Sequence, residues 1–233
     1  RPNVIIKIPG TKAGVTAIEE SIFAGVPINV TLLFSKEQYL ASAEAYLRGI
    51  ERRLAAGLRS DVSSVASLFV SRWDVTVADK VPEVLRGQLG IAVARQTYKA
   101  YRELLDSPRW QHIFNAGARP QRLLWASTGT KDPNASDVLY VEALIAPLTI
   151  NTLPDATLKA FADHGQIGPM MPDDGGDCEA VLAKFAEAGI DTAALADQLQ
   201  KEGAEKFVKA WNELLGSTMS KGDQLKKAGS NGL

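Results

Sequence analysis

The chain alternates short apolar runs with longer stretches of helical periodicity, and this alternation limits the folds open to it. Five runs are short and rich in β-branched or apolar residues, so each predicts a strand. They cover residues 3–8, 28–34, 62–70, 121–127 and 147–153. Parallel strands need crossover connections, so the pattern predicts a parallel sheet with helices outside it. Doubly wound and barrel folds both remain open on this ground.

The stretches between and after these runs predict helices. They cover residues 11–24, 35–56, 74–116 in two or three pieces, 136–144, 155–164, 179–188 and 192–215. Ser35 is a plausible N-cap, with Glu37 and Gln38 placed for a start that resembles a capping box. The tail 226–233, KKAGSNGL, is small and polar and is predicted to be frayed.

Length and composition narrow the function classes. With 233 residues, a single domain is expected, with βα units over 1–153 and a helical region over 154–233. The start, RPNVIIKIPG, lacks an initiator Met and enters a strand at once, which suggests a chain that begins inside a domain. No dinucleotide-type glycine loop or Walker motif follows a strand, which argues against a nucleotide site.

The partner class follows from charge and hydropathy. A net charge of -1 gives no field for nucleic acid or anionic lipid, and no apolar run approaches the roughly 20 residues of a membrane span. Cys178 is the sole cysteine, so no internal disulfide is possible and a reducing, cytoplasmic location is expected. A small-molecule partner fits best.

Lys7 is the strongest single clue to chemistry. It stands between two isoleucines in the first strand, on the face opposite them. Burial of that side chain would favour the neutral amine, which is the nucleophile that forms a Schiff base with a ketone. The pattern alone favours the simpler alternative, a strand-end lysine whose ammonium reaches water.

Polar residues on the second and third predicted strands are the next candidates for a functional site. Asn29 and Thr31 project from one face of the second strand, which suits a polar site inside a barrel mouth because both faces of a parallel sheet should be covered. Ser67 lies on the third strand and Arg72 follows its end. A lone arginine there is more often a surface ion pair, but in a barrel that end carries the site.

The loop after the fourth strand contains hydroxyls, a glycine and a cation, a combination that suits an oxyanion or phosphate. Its members are Ser127, Thr128, Gly129, Thr130 and Lys131. Taken alone it is only a hydroxyl-rich turn. His112, His164 and Cys178 are each interpreted as structural, because neither histidine has a metal-ligand companion at useful spacing.

Five segments together resemble the transaldolase family, in the family's order and with fitting gaps. They are VIIKIPGTKAGVTAIEE, VPINVTLLFS, SVASLFVSRWD, LLWASTGTKDP and LTINTLPDATLKAFADHG. The resemblance covers nearly the whole chain, and the helical C-terminus is similar to that of a long transaldolase. It implies a (β/α)8 barrel, represented here by about strands 4 to 8, in an enzyme without metal or cofactor.

The implied activity is transfer of a dihydroxyacetone unit from sedoheptulose 7-phosphate or fructose 6-phosphate to an aldose phosphate, in the pentose phosphate pathway. By this resemblance Lys7 matches the Schiff-base lysine, and Asn29 and Thr31 match residues that contact the intermediate and help position catalytic water. Ser67 and Arg72 match a serine and a phosphate-binding arginine.

Ser127 matches a residue that binds the substrate phosphate, but the family's second phosphate-binding arginine has no counterpart in this loop. Lys131 is the expected substitute, as a point charge without the bidentate fork. The family's acid/base carboxylates belong to earlier strands, upstream of Arg1. Two alternatives stay open: an aldolase that releases free dihydroxyacetone, and an incomplete, inactive barrel that serves as a binding or assembly module. Association into homo-oligomers or fusion to further domains is also expected.

Overall fold

Five strands form one parallel sheet in the order β1-β2-β3-β4-β5. A computed structural model describes the backbone of residues 3–230 and the side chains of residues 3–222. The strands are β1 (Ile6–Pro9), β2 (Ile28–Leu33), β3 (Ser64–Phe69), β4 (Arg122–Ala126) and β5 (Thr149–Asn151). A doubly wound sheet reverses its strand order at a switch point, whereas a barrel wall keeps the order of the chain. The structure therefore agrees with the predicted barrel arrangement.

Nine α-helices lie in the described part of the chain. They are α1 (Lys12–Phe23), α2 (Lys36–Ala55), α3 (Ser71–Val77), α4 (Leu89–Asp106), α5 (Pro108–Asn115), α6 (Leu139–Ala143), α7 (Asp155–His164), α8 (Cys178–Glu187) and α9 (Thr192–Ser230). A short 3-10 helix, Glu83–Leu85, precedes α4. No helix among these residues is long and apolar enough to cross a membrane.

Local signals place the first helices where the sequence predicts them. Thr11 caps α1, since its side chain accepts a hydrogen bond from the backbone N–H of Gly14 at 3.2 Å. Ser35 caps α2 through the N–H of Gln38 at 3.2 Å. The Gln38 side chain accepts in return from the N–H of Phe34 at 2.9 Å, so the predicted capping-box start is present in a form shifted by one residue.

The two faces of the sheet differ in character. The outer face is apolar, and Ile28, Val30 and Leu68 are fully buried there in the main core with side chains of α1, α2 and α4. The opposite face carries polar side chains at the carboxyl half of β2 and β3, among them Thr31 and Ser67. Side chains alternate along a strand, so one apolar and one polar face follow directly from the sequence.

A second apolar cluster lies at the carboxyl ends of the strands, where α3, α4, α8 and the start of α9 meet. Its largest members are Phe34, Trp73 and Phe185, each buried. Gln200 connects α9 to the ends of the first two strands, because its side-chain amide donates to the carbonyl of Gly10 at 3.1 Å and to that of Leu32 at 3.0 Å. Helix α9 therefore crosses the carboxyl ends of β1 and β2.

Some predicted boundaries are wrong. The first strand begins at Ile6 and not at residue 3, since β2 begins to pair only at Ile28, which lies opposite Ile6. Helix α3 begins at Ser71, three residues before the predicted start of the helical region. The tail predicted to be frayed contributes residues 226–230 to α9, and residues 231–233 lie outside the described residues.

Candidate active site

Lys7 lies on β1 directly opposite Asn29 of β2 in the parallel register. Of the two alternatives that the sequence leaves open for Lys7, the structure agrees with the exposed one, since the side chain is exposed. The physical reason is the place of β1 at the edge of the five-stranded sheet, where no further described strand covers its inner face. The structure therefore places Lys7 as the second of the four residues of β1, with an exposed side chain.

Asn29, Thr31 and Ser67 occupy the inner face beside Lys7. The Ser67 hydroxyl donates to Oδ1 of Asn29 at 2.7 Å, which leaves the amide N–H group of Asn29 free for another partner. Thr31 is 1% exposed, and its hydroxyl has no hydrogen-bond partner among the described residues. A buried hydroxyl without a partner is costly, so Thr31 marks a position that suits a bound water or substrate hydroxyl.

Arg72 follows β3 as the second residue of α3. Its guanidinium lies over the ring of Phe69, 4.7 Å from the centroid, and 5.9 Å from that of Phe34. Burial lowers the pKa of Arg72, while the charge of Glu202 on α9 acts to raise it. The sequence alternative of a surface ion pair does not fit this environment, because the guanidinium is half-buried and stacked on aromatic rings.

Ser127 follows β4 in the left-handed region, with φ of 57°. Its backbone carbonyl accepts from the N–H of Ser71 at 3.0 Å, and the two serine hydroxyls lie 2.9 Å apart. The loops after β3 and β4 are therefore joined next to Arg72. Sequence reasoning missed Ser71, since nothing in its neighbours indicates a contact with a residue 56 positions away.

The other hydroxyls of the β4 loop have structural partners. Thr128 donates to Oδ1 of Asn151 at 2.8 Å, and Thr130 donates to the carbonyl of Ser136 at 2.7 Å. Both bonds hold the loop itself, so neither residue retains a free hydroxyl proton for a ligand. Of the predicted hydroxyl cluster, only Ser127 remains a candidate ligand-binding residue.

Lys131 is exposed and lies beside Gly129. Its ammonium is 3.8 Å from the place that a Cβ at Gly129 would take. The lysine side chain therefore extends back along the loop, in the direction of Ser127. The position two residues after Ser127 thus has no side chain of its own and has a lysine amine beside it. This geometry is compatible with Lys131 as the substitute cation.

Asp74 is a buried carboxylate that sequence reasoning did not single out. It accepts from the backbone N–H groups of Leu89 and Gly90 at 2.9 and 3.1 Å and from the Tyr140 hydroxyl at 2.9 Å. Burial raises the pKa of Asp74 to about 6, against the lowering effect of these hydrogen bonds. Asp74 therefore ties α3, which carries Arg72, to the start of α4 and to α6.

His164 and Cys178 both have surroundings that fit a structural role. His164 ends α7, and its Nε2 lies 2.9 Å from Asp137 in the loop before α6, which raises the pKa of the imidazole. Cys178 opens α8 and is buried. Within the described residues, no group of three or more His, Cys, Asp or Glu side chains is placed to hold a metal ion.

Comparison with known sequences agrees with this geometry. Residues 1–218 match the family described as transaldolase/fructose-6-phosphate aldolase. A transaldolase of Parafrankia sp. is 48% identical over 224 residues, covering 92% of this chain and 61% of that protein. One of Frankia alni is 44% identical over 241 residues, covering 100% and 64%. One of Thermobifida fusca is 46% identical over 224 residues, covering 92% and 61%.

The chain spans about three fifths of the length of these curated relatives. The match nevertheless extends over nearly the whole chain and includes all five strands together with the segments that carry Lys7, Arg72 and Ser127. The chain belongs to the transaldolase/fructose-6-phosphate aldolase family.

Proposed function

We propose that this chain carries the Schiff-base and phosphate-binding part of a transaldolase. The substrate would be a ketose phosphate such as fructose 6-phosphate or sedoheptulose 7-phosphate, and the acceptor an aldose phosphate. The observation that supports this best is the line of Lys7, Asn29 and Ser67 across three neighbouring strands, with Arg72 and Ser127 on the loops that follow.

The proposed chemistry begins at the amine of Lys7. Its nitrogen bonds to the ketone carbon, water leaves, and a protonated imine forms. The bond between C3 and C4 then breaks, its electron pair moves into the iminium to give an enamine, and the departing aldose phosphate forms its aldehyde as its hydroxyl loses a proton. The enamine carbon adds to the acceptor aldehyde, and water hydrolyses the new imine to free Lys7.

Asn29 and Thr31 are assigned to the intermediate. Asn29 lies opposite Lys7 in the register, and its amide N–H group is not used by the hydrogen bond with Ser67. The unpartnered hydroxyl of Thr31 can hold the water that forms and hydrolyses the imine. The acid/base carboxylates that the family resemblance implies belong to earlier strands, so proton transfer is not assigned to residues of this chain.

Arg72, Ser127 and Lys131 are assigned to the substrate phosphate. Arg72 offers a planar set of donors whose orientation is fixed by the ring of Phe69. Ser127 and Lys131 come from the neighbouring loop after β4. Binding the phosphate at a distance from Lys7 would orient the ketone and contribute binding energy to the reacting centre.

An aldolase that releases free dihydroxyacetone is the second candidate function, because the family description names both activities. The chemistry at Lys7 would be the same up to the enamine. An incomplete barrel that serves as a binding or assembly module is the third, favoured by the exposed side chain of Lys7. We also infer a cytoplasmic location, since the chain's one cysteine is free and buried.

A turnover assay separates these functions. The chain is incubated with fructose 6-phosphate in the presence and absence of erythrose 4-phosphate, and the products are measured by mass spectrometry. Sedoheptulose 7-phosphate that forms only with the acceptor supports transaldolase, whereas dihydroxyacetone released without it supports the aldolase. Lys7→Ala should abolish either reaction, while Lys12→Ala, which changes an exposed lysine on α1, should not. Because the acid/base carboxylates are assigned to earlier strands, absence of both products contradicts the proposal and favours the module only if borohydride also traps no adduct on Lys7.

A further inference from the structure

Ser71 and Ser127 form a hydroxyl pair at the junction of the two phosphate-binding loops. Their Oγ atoms lie 2.9 Å apart, and the N–H of Ser71 donates to the carbonyl of Ser127 at 3.0 Å. Ser71 is 1% exposed, whereas Ser127 is only partly buried. The two hydroxyls are therefore not equivalent, because only that of Ser127 can reach a ligand.

Burial decides which hydroxyl donates. A buried O–H group needs an acceptor, and the only partner of the Ser71 hydroxyl among the described residues is Oγ of Ser127. Ser71 must therefore donate to Ser127. The proton of Ser127 is then left for another acceptor, and acceptance of one hydrogen bond strengthens its own donation to the next.

The backbone holds Ser127 where this donation is useful. Ser127 has φ of 57°, a conformation that non-glycine residues adopt only where the surroundings impose it. Ser71 provides two of those contacts, one through its N–H and one through its hydroxyl. The residue after Ser71 is Arg72, so the segment that contacts Ser127 also carries the stacked guanidinium.

We propose that Ser71 is a positioning residue for phosphate, which orients the Ser127 hydroxyl so that it donates to a phosphate oxygen of the substrate. This inference rests on the proposed function, since it assigns a further residue to the same site. Ser71 touches no ligand in this account and acts only through Ser127. With Arg72 and Lys131, the Ser127 hydroxyl then supplies a further hydrogen-bond donor, which suits a phosphate anion.

A double-mutant cycle with inorganic phosphate as the probe tests this inference on the full chain. Titration calorimetry gives the dissociation constant for the unchanged chain, Ser71→Ala, Ser127→Ala and the double variant. Ser127→Ala loses one hydrogen bond to a charged group and should weaken binding about tenfold or more, whereas Ser71→Ala loses only the orientation of that hydroxyl and should weaken binding about threefold. The double variant should be no weaker than Ser127→Ala, because Ser71 acts only through that hydroxyl.

Two controls separate positioning from a loss of structure. Ser60→Ala removes another buried serine hydroxyl, which donates to the carbonyl of Ala116 at 2.8 Å away from the phosphate loops. It should leave the affinity for phosphate unchanged. Ser71→Thr keeps a hydroxyl at the same position and should retain most of the affinity for phosphate. This variant shows whether weaker binding by Ser71→Ala comes from the lost hydroxyl or from a folding defect.

The outcomes distinguish this inference from the proposed function. An unchanged dissociation constant in Ser71→Ala, or an effect of Ser71→Ala that persists in the Ser127→Ala background, would overturn the role of Ser71 alone. If the unchanged chain does not bind phosphate, or if Ser127→Ala and Arg72→Ala bind it as well as the unchanged chain, the proposed phosphate site fails and the role of Ser71 fails with it.

Discussion

Asn29 accepts a hydrogen bond from the buried hydroxyl of Ser67 at 2.7 Å while it lies opposite Lys7 on the neighbouring strand. The side chain of Asn29 contacts the third strand, and its backbone pairs with the first. The contact with Ser67 occupies the amide oxygen and leaves the amide N–H group available to a ligand. This relationship is the structural basis for treating Lys7, Asn29 and Ser67 as parts of one site.

Removal of the Asn29 amide should destabilise the fold as well as the site. In Asn29→Ala the buried Ser67 hydroxyl loses its acceptor, which costs about 1 to 3 kcal/mol of unfolding free energy. Asn29→Ala combined with Ser67→Ala should recover part of that loss, because no buried donor then remains unpaired. Urea unfolding measures both. Equal stability of Asn29→Ala and the unchanged chain would contradict the contact.

The free energy of unfolding should fall as the pH rises through the pKa of Asp74, which is the opposite of the effect of an ordinary paired carboxylate. Burial raises the pKa of Asp74 to about 6 from 3.8, so the folded chain holds this proton more tightly than the unfolded chain. The contribution is fully present below about pH 4 and is lost as the pH rises through 6, at a cost of about 3 kcal/mol.

Unfolding curves between pH 4 and pH 7 test this for the unchanged chain and for Asp74→Asn. The difference in unfolding free energy between the two should change with pH across this window, since only one of them has a carboxyl group that titrates. Asp61→Asn is a suitable control, because the hydrogen bond from Arg59 lowers the pKa of Asp61, so the contribution of Asp61 varies only below about pH 4 and the corresponding difference should stay constant across this window. A difference that stays constant with pH would refute the assignment for Asp74.

Two glycines of α9 should respond in opposite directions to the same substitution. A Cβ at Gly203 would lie 2.8 Å from the Leu32 side chain and 3.3 Å from Nη1 of Arg72, whereas a Cβ at Gly216 meets nothing within 4 Å. Alanine favours a helix over glycine by about 1 kcal/mol. Gly216→Ala should therefore stabilise the chain, and Gly203→Ala should destabilise it and weaken phosphate binding through Arg72.

Thermal unfolding and phosphate titration of the two variants provide the comparison. Gly216→Ala is the matched control, since it tests helix propensity on the same helix without the contact. A stabilising effect of Gly203→Ala equal to that of Gly216→Ala would show that α9 does not press against Leu32 and Arg72.

Arg72→Lys should not preserve the phosphate site. Lysine keeps the charge but loses the planar fork and most of the stacking on Phe69. We expect phosphate affinity about tenfold lower than that of the unchanged chain. Arg86→Lys, at an exposed arginine outside the proposed phosphate set, should have no such effect. Equal phosphate affinity in Arg72→Lys and the unchanged chain would show that the charge alone is sufficient.

The predictable parts of the fold are those set by local signals. The cap at Ser35 and the alternation along β2 depend on residues a few positions apart, so the sequence predicts them well. Ser71 and Asp74 could not be found in this way, because their partners Ser127 and Tyr140 are 56 and 66 positions away. The exposure of Lys7 agrees with the alternative that the strand pattern favours, but its cause, the position of β1 at the edge of the described sheet, is not a local signal.

The most direct test of the central claim is borohydride trapping with fructose 6-phosphate, followed by intact mass and peptide mapping. We expect one reduced adduct, on Lys7, that disappears in Lys7→Ala and persists in Lys12→Ala. An adduct on another lysine, or no adduct at all under conditions where the chain is folded, would contradict the assignment of Lys7 as the Schiff-base residue.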